Sequence, residues 1–257
     1  MHNLKIKGSK CHFAKTTAEY LGFKLTPEGI LPGMDKTQCI REAKIPTAIT
    51  HVRQFLGLCD FFRRHIKNFN ELAEPLNKLL TKESKWEKGE SPKDALHAFG
   101  KLKTALTSHP VLAYPRPDRQ YALITDVSLG SDKNRGGCGA ILTQIDEAGN
   151  FRVVAYASKT ITGSPLNYTP FLAEMYAANW GMKQFEHYLK GKKFLLFTDH
   201  KPMEKLGKVH TKTLYSIQEA MLQFDFEIHY LKGKECQQTF CPDSVQWTRS
   251  RELQLKR

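Results

Sequence analysis

Apolar residues recur at helical spacing between Thr47 and about Leu80: Val52, Phe55, Leu56, Cys59 and Phe62, then Ile66, Phe69, Leu72, Leu76, Leu79 and Leu80. A stripe of that kind predicts a pair of amphipathic helices sharing one core. Asn70 stands where a cap for the second member belongs. The basic run Arg63-Arg64-His65 lies between the two and reads equally as a solvated helix end or as a phosphate contact. A Lys-rich stretch from Thr81 to Lys93, containing Trp86, leads into a further helical segment around Ala95 to Thr107. Pro110, Pro115 and Pro117 then punctuate the chain, and the domain boundary is expected there.

Beyond the prolines the period changes. Tyr121 to Thr125, Gly139 to Gln144 and Arg152 to Ala157 read as short strands, the first two separated by a long polar loop and the last two by a turn at Asp146-Glu147-Ala148-Gly149-Asn150. They form an expected antiparallel meander. An amphipathic helix follows from about Pro170 to Leu189, then a buried strand from Phe194 to Thr198 that by position runs parallel to the first. A helix from about Lys212 to Gln223 and a strand from Asp225 to Leu231 complete the order β-β-β-α-β-α-β, a mixed sheet with helices across it.

That order gives three carboxylates a common address. Asp126 and Asp199 fall at the C-terminal ends of two strands expected to be parallel neighbours, where sites gather, and Glu174 lies near the start of the helix between them. Taken singly, each has an ordinary explanation as a turn, cap or solvated residue. Taken together they form an anionic cleft, and hard divalent cations such as Mg²⁺ take oxygen ligands of this kind. Two such ions about 4 Å apart activate a water and stabilise the departing oxygen in phosphodiester cleavage. Without metal the three would repel, raising at least one pKa.

Composition narrows the partners. Lys plus Arg number 39 against 26 Asp plus Glu, a formal charge of +13 over 257 residues, so a polyanion, nucleic acid first, is the expected partner. No stretch approaches the roughly 20 apolar residues of a membrane span, and no signal-like segment follows Met1. The location expected by default is intracellular. Cys11, Cys39, Cys59, Cys138, Cys236 and Cys241 are scattered without a Cys-x-x-Cys pair, which argues against zinc and for reduced, mostly buried thiols.

An ordered series of motifs carries a family resemblance. Leu-Ile-Thr-Asp126, Gly137-Cys-Gly-Ala-Ile-Leu-Thr-Gln144, Ala155-Tyr-Ala-Ser-Lys159, Asn167-Tyr168 followed by Glu174, Tyr188-Leu-Lys-Gly191 and Phe197-Thr-Asp-His-Lys-Pro202 resemble the RNase H domain of gypsy-class long-terminal-repeat retrotransposons. Upstream, Lys10-Cys-His-Phe13, Glu19-Tyr-Leu-Gly-Phe23, Pro27-Glu-Gly-Ile30, Gln54-Phe-Leu-Gly-Leu58, Phe62-Arg-Arg-His-Ile66 and Pro75-Leu-Asn-Lys-Leu79 look like the end of the reverse-transcriptase palm, the thumb and the connection of the same polyproteins.

The resemblance implies an α/β chain: a helical thumb and connection segment over residues 1–110, an RNase H-like mixed five-stranded sheet with flanking helices over 118–235, and an atypical tail over 236–257. It implies metal-dependent cleavage of RNA in RNA:DNA hybrids, with Asp126, Glu174 and Asp199 holding Mg²⁺ or Mn²⁺. The rest of a Pol polyprotein is an implied partner, and a cytoplasmic particle the implied setting. Tyr20 and Gly22 would correspond to the primer grip, and Arg63 and Arg64 are further candidates for nucleic-acid contact.

Departures from the family pattern matter as much. No Tyr-x-Asp-Asp polymerase motif is present, so DNA synthesis by this chain alone is not expected. The loop from Leu129 to Gly136 is longer than in many relatives, and its Lys133 and Arg135 fit either substrate backbone or a solvated loop. After Glu235 the family continues with an Ala-Asp segment whose Asp is the fourth carboxylate; here the chain reads Gln237-Gln-Thr-Phe-Cys-Pro-Asp-Ser-Val-Gln246, with Asp243 in the wrong setting. A frameshift near Gln237 is the hypothesis, and an offset reading frame that encodes no Ala-Asp-Phe-Leu-like segment would dispose of it. Losing that ligand should impair hydrolysis. The alternative is a catalytically inactive remnant that binds nucleic acid or another partner.

Overall fold

The computed structural model describes residues 8, 11, 13–81, 84, 86, 92–108, 111–130, 135–199 and 212–230. Two hydrophobic cores divide it near the proline-rich stretch. The first begins with a small antiparallel sheet of β1 (Ala18–Tyr20), β2 (Phe23–Thr26) and β3 (Gly29–Pro32). Tyr20 pairs with Phe23, leaving Leu21 and Gly22 as a two-residue loop with φ of 50° and 81°. Positive φ at both positions is what a type I′ hairpin turn requires.

Four helices follow: α1 (Met34–Glu42), α2 (Ile49–Phe61), α3 (Phe69–Lys78) and α4 (Lys93–Thr107). Ile40, Val52, Phe55, Cys59, Phe62, Phe69, Leu76, Phe99, Leu102 and Leu106 close their core. The apolar stripe read from the sequence is therefore the buried face of α2 and α3. The expected cap is displaced, however: Asn68, not Asn70, precedes α3, and it does so with φ of 52° and no capping bond from its side chain. Its Nδ2 instead donates to Glu71 Oε2 at 3.4 Å. A short 3-10 turn, Arg63–His65, joins α2 to this corner.

The second core lies on a five-stranded sheet of order β6-β5-β4-β7-β8, built from β4 (Tyr121–Gly130), β5 (Arg135–Ile145), β6 (Phe151–Thr160), β7 (Phe194–Thr198) and β8 (Phe226–Tyr230). The meander β4-β5-β6 is antiparallel and β7 runs parallel to β4, as the sequence predicts; β7 is also parallel to β8. The strands of the first hairpin are longer than the sequence suggests. Backbone pairing continues to Ser128 with Gly137 and Gly130 with Arg135, so most of the expected loop is strand.

Helix α5 (Pro170–Gln184) crosses one face of this sheet. Pro170 sits at its first position and the Thr169 hydroxyl accepts from Leu172 N, which fixes where it starts. Ala173, Ala177, Ala178 and Gly181 are all buried, so the helix lies close to the strands. A Cβ at Gly181 would stand 2.9 Å from Thr125 Cγ2, too near to tolerate. The single helix expected to Leu189 breaks at Phe185, and α6 (Glu186–Leu189) continues from it. With α7 (Lys212–Met221), these helices bury Leu123, Leu142, Met175, Met182, Phe194 and Leu196. Each such side chain contributes about 1.5–3 kcal/mol through burial.

Candidate functional site

The parallel pairing decides where the carboxylates fall. β7 pairs with Ala122, Leu123 and Ile124 of β4 and no further, the last match being Ile124 with Phe197. Asp126 is thus within a long strand rather than at its end, but two residues past the last pairing with its parallel neighbour. Asp199 is two residues past Phe197, so the same register carried forward brings Asp126 and Asp199 abreast. Both are exposed where the strands part.

Glu174 reaches this place from the first turns of α5. It is 7% exposed, flanked by buried Ala173 and Met175, and its Oε2 has no hydrogen-bond partner among the described residues. A buried ionised carboxyl without partners is costly. Burial, then the charges of Asp199 and Asp126, push the Glu174 pKa up to about 8. Asp126, although it touches solvent, is raised as well, first by the protein that displaces water around it and then by Asp199, with Lys67 opposing. The three carboxylates named from the sequence therefore form one electrostatically coupled set.

They are not closed into a cage. Among the described residues no group of three or more His, Cys, Asp or Glu side chains stands close enough to hold a metal ion. The donor set nevertheless suits a hard cation: oxygen ligands only, and a buried Oε2 on Glu174 that no donor among the described residues satisfies.

The remaining candidates are placed less uniformly. Tyr20 is 63% exposed at the tip of the β1–β2 hairpin. Gly22 turns that tip, and Lys36 Nζ lies 3.1 Å from the centre of the Phe61 ring beneath it. Arg63 and Arg64 have intramolecular duties: Arg63 Nη2 donates to Ser158 O and Asn70 Oδ1 at 3.2 Å each, and Arg64 Nη2 donates to Tyr188 Oη at 2.8 Å. These bonds also bridge the two cores, while Arg63 and Arg64 themselves remain exposed. Arg135 opens β5, and Lys133 lies outside the described residues, as do Asp243 and the whole segment suspected of a frameshift. Lys67, Asn68 and Ser158, absent from the sequence-based selection, gather at this bridge. Their only local signal is a polar Lys-Asn pair between two helices.

Comparison with known proteins bears on the fold and the family. Residues 92–196 match the family model of the RNase H-like domain found in reverse transcriptase. Over 235 residues the chain is 33% identical to the retrovirus-related Pol polyprotein from transposon 297 of Drosophila melanogaster, covering 91% of this chain and 21% of that protein. The corresponding polyprotein from transposon 412 of the same fly is 32% identical over 236 residues, covering 91% and 18%. This chain thus spans about a fifth of the length of these curated relatives. Among solved structures, a foamy viral protease-reverse transcriptase in complex with RNA/DNA hybrid superposes with a TM-score of 0.67 at 16% identity, covering 90% of this chain and 31% of that one. The same enzyme in complex with dsDNA gives 0.65 at 19%, covering 85% and 45%.

The fold is RNase H-like, of the kind joined to reverse transcriptases. Residues 92–196 are the RNase H-like domain of that family, the chain as a whole matches a fragment of retrotransposon Pol polyproteins, and the gypsy class expected from its motifs is consistent with these relatives. No described helix is long and apolar enough to cross a membrane.

Proposed function

We propose that this chain handles RNA:DNA hybrids and directs metal-dependent hydrolysis of their RNA strand, with Asp126, Glu174 and Asp199 as ligands for Mg²⁺ or Mn²⁺. The observation that carries this reading is Glu174: a buried carboxyl with an unpartnered oxygen, coupled to two aspartates where parallel strands part. Divalent cations bound there supply nucleophile activation and stabilisation of the departing oxygen in phosphodiester cleavage. The protein's own part is to hold three carboxylates on a rigid sheet and helix, so that their repulsion is relieved when positive charge arrives. The exposed Tyr20 hairpin tip fits contact with the primer strand. A cytoplasmic particle and the rest of a Pol polyprotein fit as setting and partner.

Hydrolysis by this chain is weak on the same reading, because the segment after Glu235 lacks the family's Ala-Asp pair. The test is cleavage of an end-labelled RNA:DNA hybrid by the full chain in Mg²⁺ and in Mn²⁺. Slow cleavage abolished by Asp126→Asn supports a working three-carboxylate site. Hybrid binding with no cleavage in either metal favours an inactive nucleic-acid-binding remnant.

A further inference from the structure

The bridge between the cores follows a line across the sheet. Asp126 on β4 lies directly opposite Gly139 on β5, and Gly139 directly opposite Ser158 on β6. These residues form a row three strands wide, neighbours about 4.8 Å apart. The corner that precedes α3 lies over the same row. Asn70 N donates to Ser158 Oγ at 2.9 Å, and Arg63 Nη2 fixes the same residue through its carbonyl. Asn68 Oδ1 rests on Gly139, where a Cβ would meet it at 2.9 Å. Continued in the same order, the chain brings Lys67 toward Asp126.

We propose that Lys67 contacts a nucleic-acid phosphate at the rim of the carboxylate site, and that Asn68, seated on Gly139, positions it there. The electrostatics agree, since Lys67 acts on Asp126 across the interface. A Cβ at Gly139 would push on the Asn68 amide oxygen and displace it from this seat. The left-handed conformation of Asn68 turns the chain so that residues 67 and 70 can both address the row. Lys67 is half-buried, and a lysine can lay its stem on protein while its ammonium stays in water. Once cations neutralise the carboxylates, that ammonium faces whichever phosphate arrives beside them.

This inference rests on the reading that the chain binds RNA:DNA hybrids. The experiment is fluorescence anisotropy of a labelled hybrid with the full chain in Ca²⁺, repeated over a salt series. Lys67→Gln should weaken binding about 3–10-fold and reduce the slope of log K against log salt by about 0.7–0.9, the signature of one lost phosphate contact. Lys67→Arg should restore both. Gly139→Ala, which keeps the lysine but disturbs its seat, should reproduce the loss. A lysine that merely balances the charge of Asp126 would leave the slope unmoved, so Lys67→Gln with parental slope and affinity overturns the proposal. An unsubstituted chain that binds no hybrid overturns the functional reading itself, and this inference with it, before any variant is made.

Discussion

Glu174→Gln tests the electrostatic account of the site without any assay of activity. In the folded chain the Glu174 pKa is pushed up to about 8 from 4.5, by burial first and then by Asp199 and Asp126. The folded state therefore keeps a proton that the unfolded chain releases, and stability falls as pH rises from about 4.5 to about 8. Each tenfold change in proton affinity is worth about 1.4 kcal/mol, which bounds the loss at roughly 5 kcal/mol; relaxation and entering water reduce it to about 2–3 kcal/mol. Glutamine has the same shape and no charge to lose. At pH 5, where Glu174 is protonated, parent and variant should melt within about 1 kcal/mol of one another, since each leaves a polar group imperfectly paired. At pH 8.5 in EDTA the variant should melt roughly 5–10 °C higher, at 2–4 °C per kcal/mol for a chain of this size. Mg²⁺ should then raise the parent more than the variant, because a cation that binds only the folded state stabilises it. An equal difference in melting temperature at the two pH values would refute the buried, coupled carboxyl.

His65 provides the opposite slope. It is 4% exposed and stacked on Phe23, and among the described residues neither ring nitrogen makes a hydrogen bond of good geometry, although the Ile30 backbone lies near. Burial, against the partial support of Ile30 and with Arg64 adding to it, lowers its pKa to about 4, so its contribution is present above about pH 6.5 and lost as pH falls toward 4. The difference in unfolding free energy between parent and His65→Leu should change by up to about 3 kcal/mol across that window in denaturant titrations, and a constant difference would count against it. Gly22→Ala should cost about 1–2 kcal/mol, since φ is 81° and a Cβ would crowd Lys36 Nζ and Phe61 at 3.2 Å; an unchanged melting temperature contradicts the turn. Exposed Cys39 should react with a maleimide at neutral pH, while Cys59 and Cys138, buried and with pKa values pushed up to about 12, should be labelled only in denaturant, as peptide mass spectrometry would report.

The second core was largely legible because its strands and helices are long and strongly periodic. Phe194–Thr198 is bounded as the sequence reads it, and the parallel relation of β7 to β4 follows from the helical crossover after the three-stranded meander. What escaped was decided by distant partners. Asp126 lies inside β4 because β5 extends the strand through Gly130, which no local window contains. The sheet β1–β3 consists of strands only three or four residues long, too short for alternation to show, and α1 is too polar for a clear stripe. Glu174 did carry a signal beyond its motif: an acid set among Ala173, Met175, Ala177 and Ala178 stands on the buried face of its helix. The docking of Asn70 on Ser158, 88 residues away, left none.

The prolines mark a change of core but not a free boundary. On the face of the large sheet opposite α5, Ile124, Ile141, Tyr156 and Phe197 cluster with Leu112, and Ile30 of β3 packs on them. Leu112 and Ile30 exchange two backbone hydrogen bonds, at 2.7 and 2.9 Å, and Ala113 N donates to Val153 O. The approach is so close that a Cβ at Gly29 would overlap the Leu112 carbonyl, at 2.2 Å. The family model likewise begins at residue 92, taking in α4, whose apolar side belongs to the first core. Cutting the chain at the prolines would strip Ile30, Arg63 and Asn70 from the sheet and leave a band of large apolar side chains bare, with the row from Asp126 to Ser158 open along its length. The carboxylate site is therefore a property of both cores: one supplies the acids, and the other supplies the cover and the corner that flank them.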